Sequence, residues 1–119
     1  MENICRLRKI FSIVYKLERS IKKRFGMTAN EIMVLCLLRA ISLSAGELSK
    51  ELGVSESRMS KILDNLEKDG YIERNIDKLD KRKMVFSITE KGNKKVREFV
   101  ESDFEVPDID IDSLSNLIY

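Results

Sequence analysis

Apolar side chains recur at steps of three and four residues near the start of the chain, and this spacing predicts an amphipathic helix over residues 3–25. Gly26 is expected to end that helix in a left-handed cap. A capping box at Thr28 and Glu31 predicts a second helix that extends to about Ala40 and is apolar on nearly every side. The second helix is therefore expected to be central to the core. The apolar stripe of the first helix consists of Ile4, Leu7, Phe11, Val14, Leu17, Ile21 and Phe25.

Two shorter helices follow, separated by one tight turn. A second capping box, at Ser44 and Glu47, starts the third helix, and Gly53 is expected to end it. Ser55 then caps a fourth helix, which ends at Gly70. Two helices joined by a short turn that contains glycine are typical of a helix-turn-helix unit. The core positions predicted for this pair are Leu48, Leu52, Met59, Ile62, Leu63 and Leu66.

Alternation of apolar and polar residues replaces the helical spacing after the fourth helix. It predicts strands over residues 71–76 and 84–88, and the loop between them is too polar for a core, so the strands form a hairpin. Thr89 is expected to cap a fifth helix that Pro107 breaks, and residues 112–119 are expected to add one or two helical turns. The apolar stripe of the fifth helix consists of Val96, Phe99, Val100 and Phe104.

These elements predict a mainly α-helical chain with a small β-hairpin, that is, a winged helix-turn-helix with helical segments on either side. At 119 residues a single domain is expected, with residues 28–92 as its core and residues 1–25 and 93–119 as dimerisation segments. The long first helix leaves two interpretations open, because its stripe can pack on its own domain or against a second copy.

Charge is distributed unevenly along the chain. All 22 Lys and Arg residues lie within residues 1–100 beside 14 acidic residues, which gives that segment a formal charge of +8. A basic body favours polyanionic partners. Residues 101–119 hold the other six acidic side chains and no basic one. This tail is interpreted either as solubilising surface or as a segment that docks on the basic body or on a second subunit.

Residue content argues against several classes of protein. The chain has no His and two Cys, so a four-ligand structural zinc site cannot form, and no metal or cofactor is expected. Without a histidine base, a nucleophile elbow or a phosphate-binding glycine loop, an enzyme is not expected. The longest apolar run, residues 32–38, is too short to span a membrane, and no signal peptide is recognisable. A cytoplasmic protein is therefore expected.

The two cysteines have ordinary structural explanations. Cys36 lies in the apolar run and is expected to be buried as a small apolar residue. Cys5 is expected to pack within the first helix, and a redox role for it is the alternative.

The fourth helix offers a candidate recognition face. When its apolar stripe turns inward, short polar and cationic side chains face outward. Arg and Lys donate hydrogen bonds to guanine or phosphate, Asn reads adenine edges, and a helix N-terminus favours a phosphate. A merely solvated helix face would look similar, but the preceding helix, the turn and the basic hairpin favour nucleic acid. The DNA-contacting residues predicted on this helix are Ser55, Ser57, Arg58, Lys61 and Asn65.

The hairpin loop is the second candidate contact, because long cationic side chains at a hairpin tip grip phosphates or enter a minor groove. Asp80 is placed to orient Arg82. Asp64 would be repelled by DNA phosphates unless a cation pairs with it, so we expect Arg82 or Arg74 to fold back onto it and fix the wing against the helix. The DNA-contacting residues predicted in the loop are Lys81, Arg82 and Lys83.

Three motifs, in this order, resemble the MarR-type transcriptional regulators: SESRMSKILDNLEKDGYIER, then Asp80-Lys81-Arg82, then SITEKG. The resemblance covers about residues 28–100. It implies a homodimer joined by N- and C-terminal helices, with the fourth helix in a major groove of double-stranded DNA and the wing in an adjacent minor groove. Arg82 would be the wing-tip arginine and Asp80 its anchor. Such proteins mostly repress promoters and release DNA when a small ligand binds between the two lobes.

The chain departs from that pattern at both ends. The region after the fifth helix is short and acidic, so the dimer is expected to depend more on residues 3–25. Cys5 lies where some relatives carry an oxidant-sensing thiol, but Ala29 and Asn30 stand where aromatic hydroxyl groups are expected. The leading interpretation is a DNA-binding regulator. The alternative is a winged-helix module for protein–protein contact.

Overall fold

The computed structural model of the protein describes residues 2–102. Their elements confirm the predicted fold class, which is mainly helical with one antiparallel hairpin. The predictions for Phe104, Pro107 and residues 112–119 lie outside the described residues. The elements are α1 Glu2–Phe25, α2 Ala29–Ala40, α3 Ala45–Leu52, α4 Glu56–Lys68, β1 Ile72–Ile76, β2 Met84–Ile88 and α5 Glu90–Glu101.

Residues 2–29 and residues 30–102 fall into separate compact units. In the first unit, α1 carries the predicted apolar stripe, but Ile21 is the only residue of this helix that is buried. The N-terminal part of the stripe is open to solvent, with Ile4 68% and Phe11 53% exposed. None of the helices within residues 2–102 has the length and apolar character that a membrane crossing needs.

The helix-turn-helix pair builds much of the core of the second unit. Leu48, Met59, Leu63 and Leu66 are each no more than 1% exposed. Fully burying a side chain of this size stabilises a fold by about 1.5–3 kcal/mol. These residues are among the core positions predicted from the helical spacing, so the sequence identified the inward faces of α3 and α4 correctly.

Hydrogen bonds at the helix ends explain why α3 and α4 begin and end where they do. The Oγ atom of Ser44 accepts from the N–H of Glu47, and the Glu47 carboxylate accepts from the N–H of Ser44, which completes the predicted capping box. Ser55 Oγ accepts from the N–H of Arg58 at 3.1 Å and caps α4. Gly70, with φ 82°, reverses the chain after α4 so that β1 runs back along this helix.

Two predictions of burial are wrong. Cys36 is exposed, although neighbouring atoms desolvate its thiol enough to raise its pKa, an effect that the charge of Arg39 opposes. Val100 is 61% exposed, whereas Val96, one turn earlier on α5, is 1% exposed. Helical spacing placed both residues on apolar faces, but the body of the second unit covers only part of those faces.

The hairpin forms backbone hydrogen bonds to a neighbouring segment as well as between its own strands. β1 and β2 pair antiparallel, with Ile72 opposite Ile88 and Ile76 opposite Met84. The short connector before α3, residues 41–43, adds a bridge to β2. In that bridge, Leu43 donates to the Phe86 carbonyl at 3.2 Å and accepts from the Phe86 N–H at 2.8 Å. The wing is therefore joined to the segment that leads into α3.

The start of α5 is fastened to the turn at the base of the wing. Thr89 caps α5, and its Oγ1 donates to the Gly70 carbonyl at 2.7 Å. Lys91 Nζ donates to the Asp69 carbonyl at 2.6 Å and lies 4.7 Å from the ring centroid of Tyr71. These contacts give a structural reason for the Thr and the Lys of the SITEKG motif.

Gly92, the last residue of that motif, is buried where backbone passes close to it. A Cβ atom at this position would overlap the carbonyl oxygen of Tyr71 and lie 2.6 Å from Cγ1 of Ile88. Only a residue without a side chain fits there, because the base of the wing lies too close to the first turn of α5 to leave room for a Cβ atom.

Candidate nucleic-acid interface

The outward side of α4 carries the side chains that the sequence predicts for recognition. Ser57, Arg58, Lys61 and Asn65 are all exposed, and the buried stripe of the same helix faces the core. Ser55 lies at the N-terminal end, where its hydroxyl group is also the helix cap. Because the first N–H groups of a helix attract anions, this end of α4 suits a phosphate.

Asp64 pairs with Arg74, one of the two partners expected for it, and not with Arg82. The Nη2 atom of Arg74 lies 3.1 Å from Oδ1 of Asp64, and its Nε lies 2.9 and 3.0 Å from the two carboxylate oxygens of Glu67. The guanidinium also stacks 5.2 Å from the ring centroid of Phe86. One arginine of β1 thus pairs with two carboxylates of α4 and holds the hairpin against that helix. We call this set of contacts the Arg74 clamp.

The tip loop of the hairpin is a hydrogen-bonded turn. Asp80 Oδ1 accepts from the N–H of Arg82 at 3.0 Å and lies 3.5 Å from Arg82 Nε. The N–H of Lys83 donates to the Asp80 carbonyl at 3.0 Å, and the N–H of Asp77 donates to the Lys83 carbonyl at 2.9 Å. The Arg82 side chain is 94% exposed, and Lys81 is exposed beside it. The loop therefore presents two cations to solvent on an ordered turn.

Lys83 has a partner that the sequence did not predict. Its Nζ lies 2.7 Å from Oε1 of Glu47, the carboxylate of the capping box of α3. The hydrogen bond from Lys83 and those from Ser44 lower the pKa of Glu47 to about 2, and the same bond raises the pKa of Lys83. Lys83 thus connects the base of the tip loop to α3, and Lys81 and Arg82 are the loop cations further from the protein body.

The Glu47–Lys83 pair predicts a dependence of stability on acidity. Because folding lowers the pKa of Glu47 from 4.5 to about 2, the pair stabilises the fold fully above about pH 4.5, and this contribution is lost as the pH falls towards 2. The Glu47→Gln variant keeps the acceptor of the capping box and removes only the charge. We expect it to be slightly less stable than the unaltered chain near pH 7, and the difference to shrink near pH 3, in urea unfolding.

The Lys83→Gln variant is the matched control for that experiment. Alone it should reproduce the loss of stability near neutral pH, and in the Glu47→Gln background it should add nothing. Equal effects of Glu47→Gln at both pH values would show that the charge pair is not their source.

Most of the predicted site residues are exposed, as the sequence patterns indicate, but the patterns missed several of their partners. Arg74 stands between Ile72 and Ile76 at alternate positions of one strand face. A cation within a row of apolar positions indicates a nearby carboxylate, and this signal would have favoured Arg74 over Arg82. No comparable signal connects Glu47 to Lys83, because only the tertiary fold brings them together.

Known proteins resemble the chain in sequence and in fold. Residues 25–83 match the model of the MarR family. The HTH-type transcriptional repressor YetL of Bacillus subtilis (strain 168) is 28% identical over 101 residues, which are 80% of this chain and 60% of that protein. The transcriptional regulator Tm0710 of Thermotoga maritima is 34% identical, with a TM-score of 0.64 over 80% of this chain and 68% of the other. In a complex of S. aureus MepR with DNA, MepR is 26% identical, with a TM-score of 0.61 over 79% of each chain.

The match extends over most of the described structure. It includes the helix-turn-helix pair, β1 and the tip loop, and therefore the residues joined by Arg74, but it ends before β2. The chain is shorter than its curated relative, since it spans 60% of the length of YetL. At 34% identity, and with more than two thirds of Tm0710 covered, the chain belongs to the MarR family.

Proposed function

We propose that this protein is a sequence-specific transcriptional regulator, acting as a repressor, that binds double-stranded DNA as a homodimer. The observation that carries the proposal is the Arg74 clamp, which holds the cationic hairpin against α4 so that both can meet one DNA duplex. The similarity to MepR, whose solved complex contains DNA, and to YetL, which is named a repressor, supports the same function.

In the proposed complex, α4 lies in the major groove and the wing enters an adjacent minor groove. Lys61 and Asn65 read base edges, because these side chains are exposed and have the donors and acceptors for it. Near the N-terminus of α4, the phosphate backbone of the DNA is contacted by Ser55, Ser57 and Arg58. Arg82 and Lys81 enter the minor groove, with Asp80 as the orienting carboxylate of Arg82, and Lys83 contributes from the base of the loop.

The exposed stripe of α1 supports the homodimer. Ile4, Leu7, Phe11 and Val14 are 42–68% exposed, and a contiguous apolar surface of this kind marks an interaction site. We assign this apolar face of α1 to the partner chain. The proposed interface comprises residues 3–25 together with the C-terminal segment.

Regulation and location complete the proposal. Release of DNA by a small-molecule effector rests on membership of the family, and so does the interpretation of Cys5, which is exposed, as an oxidant sensor. A regulator of this kind acts in the cytoplasm. No catalytic activity is proposed.

Selection from a random pool of DNA duplexes tests the proposed function. We expect the chain to enrich one pseudo-palindromic sequence and to bind it with two chains per duplex. The logarithm of the association constant should fall linearly with the logarithm of the salt concentration, with a slope of about 0.9 per phosphate contacted. A module for protein–protein contact would enrich no sequence and show no such slope, so either result would contradict the proposal.

Arg82→Ala tests the proposed role of the wing. We expect binding to weaken about tenfold and similarly for all duplexes, with the salt slope reduced by about one, because the variant loses a contact that carries no sequence information. Arg39→Ala, on α2, removes the same charge and is the control, because Arg39 is exposed and lies outside the wing and the proposed dimer interface. Unchanged affinity and slope in a folded Arg82→Ala protein would exclude the wing contact.

A further inference from the structure

The outer half of the hairpin exposes apolar side chains. Ile76 is 61% exposed, Met84 46% and Leu79 97%. Ile76 and Met84 are direct partners across the two strands, so their side chains lie side by side on one face. Leu79 lies in the tip loop beyond them. We call Ile76, Met84 and Leu79 the apolar tip patch.

The strand register shows which way the pair faces. Side chains two residues apart on a strand share a face, so Ile76 and Met84 are on the same face as Arg74 and Phe86. That face contacts α4 through the Arg74 clamp, and Phe86 on it is buried at 4% exposure. The apolar face of the hairpin therefore continues past the region that α4 covers and is open towards the tip.

The tip loop holds its shape without covering this patch. The N–H of Leu79 donates to Oδ1 of Asp77 at 3.2 Å, and the N–H of Arg82 donates to Oδ1 of Asp80 at 3.0 Å. Both carboxylates are thus engaged with the loop backbone. Three exposed loop side chains beside the patch are cationic, namely Lys78, Lys81 and Arg82, and Asp80 is exposed among them.

An apolar patch bordered by cations matches one surface of the proposed partner. The wall of a DNA minor groove alternates deoxyribose rings, which are largely apolar, with phosphates, which are anionic. Leu, Ile and Met are among the apolar residues that proteins insert into minor grooves. The patch is also continuous with the wing cations assigned to DNA, whereas an apolar protein partner would leave those cations unmatched.

We infer that Ile76, Met84 and Leu79 pack on deoxyribose rings of the DNA that the wing grips. This inference rests on the proposed DNA-binding function and adds apolar contacts to the charged contact of Arg82. These contacts contribute affinity that does not depend on phosphate neutralisation, so their loss changes the dissociation constant without changing its salt dependence.

The double variant Ile76→Thr with Met84→Thr tests the inference, because threonine keeps the preference for a strand and removes apolar surface. The probe is the duplex selected by the unaltered chain, labelled with a fluorophore, and anisotropy gives the dissociation constant at several salt concentrations. We expect about a tenfold rise at every salt concentration, which corresponds to the loss of about two buried methylene groups, and an unchanged salt slope. Arg82→Ala, in contrast, lowers the slope.

Ile41→Thr is the matched control, since Ile41 is 62% exposed, like Ile76 at 61%, but lies in the connector before α3 and not on the hairpin. It should leave the dissociation constant unchanged. Leu79→Ser provides a second test that does not depend on the stability of the hairpin, because a side chain that is 97% exposed has almost no packing to lose. For this variant we expect about a threefold rise in the dissociation constant, since roughly one methylene group of contact is lost.

The outcomes separate this inference from the function on which it rests. If the unaltered chain selects no duplex, the proposed function fails and the inference fails with it. If the unaltered chain binds its duplex and both the double variant and Leu79→Ser bind it equally well, only the inference is overturned, and the patch serves a protein partner. If the double variant converts a dimer to a monomer in sedimentation, a second copy covers the patch, which also overturns the inference.

Discussion

Alanine in place of Gly92 is expected to lower the free energy of unfolding by about 2 kcal/mol. The new Cβ would overlap the carbonyl oxygen of Tyr71 and approach Cγ1 of Ile88 to 2.6 Å. The Tyr71 carbonyl is backbone, so it cannot move without displacing the start of β1. Because Gly→Ala inside a helix normally stabilises by about 1 kcal/mol, a loss identifies the close contact. Thermal unfolding should show a midpoint about 8 °C lower.

Gly46→Ala is the control for that measurement. Gly46 lies within α3, and the nearest atom to a Cβ added there is Ser44 Oγ at 4.0 Å, which is an open site. We expect this variant to be more stable by about 0.5–1 kcal/mol. Both variants must be compared at one protein concentration, because association shifts the unfolding midpoint. A change of the same sign in both would show that Gly92 is not packed as described.

Arg74→Ala is expected to weaken DNA binding about thirtyfold, or roughly 2 kcal/mol. The variant leaves Asp64 and Glu67 without the guanidinium that pairs with them, and these carboxylates lie on the proposed recognition helix. They would then repel phosphates, and the hairpin would lose its connection to α4. Anisotropy with the selected duplex measures the effect, and circular dichroism establishes that the variant is folded.

Two further variants identify the cause of that loss. Asp64→Asn and Glu67→Gln, added to Arg74→Ala, remove the repulsion and should restore much of the affinity. Arg39→Ala is the control, because it removes an exposed arginine of α2 that lies outside the clamp and outside the proposed dimer interface. If the triple variant binds DNA as weakly as Arg74→Ala does, the loss of affinity comes from displacement of the wing and not from charge repulsion. Full affinity in Arg74→Ala contradicts the clamp.

Features that depend on neighbours along the chain were predictable from the sequence. Ser44, Ser55 and Thr89 cap helices in the structure as their patterns indicate, because a cap satisfies N–H groups two or three residues away. The alternation that predicts the hairpin is equally local. The fold class followed from these elements and their order.

Features that depend on distant contacts were not predictable in the same way. The choice of Arg74 over Arg82 for Asp64 depends on how far the hairpin extends past α4, and the Glu47–Lys83 pair joins residues 36 positions apart. Several cations lie within reach of each carboxylate in the sequence, and only the fold selects among them. The roles of these residues on DNA stay predictions until the variants are measured.

Helical spacing shows which residues share a face but not whether anything covers that face. It grouped Val100 with Val96 on α5, although Val100 is 61% exposed and Val96 is 1% exposed. It also grouped Phe11 and Ile21 on one stripe of α1, where Ile21 is 5% exposed and Phe11 is 53% exposed. Which part of the stripe is buried depends on where the chain, or a second copy of it, packs. Helical spacing carries no information about that packing.

The bridge between Leu43 and Phe86 has a consequence for the evolution of loop lengths. The connector is hydrogen-bonded to β2 at Leu43, and the next residue, Ser44, caps α3. No unconstrained residue therefore separates the bridge from the helix. An inserted residue there would displace either the strand pairing or the start of the helix. The tip loop, residues 77–83, has a free outer end. Descendants of this chain can therefore change the reach of the wing by insertions at the tip, while the spacing between α3 and the sheet is inherited unchanged.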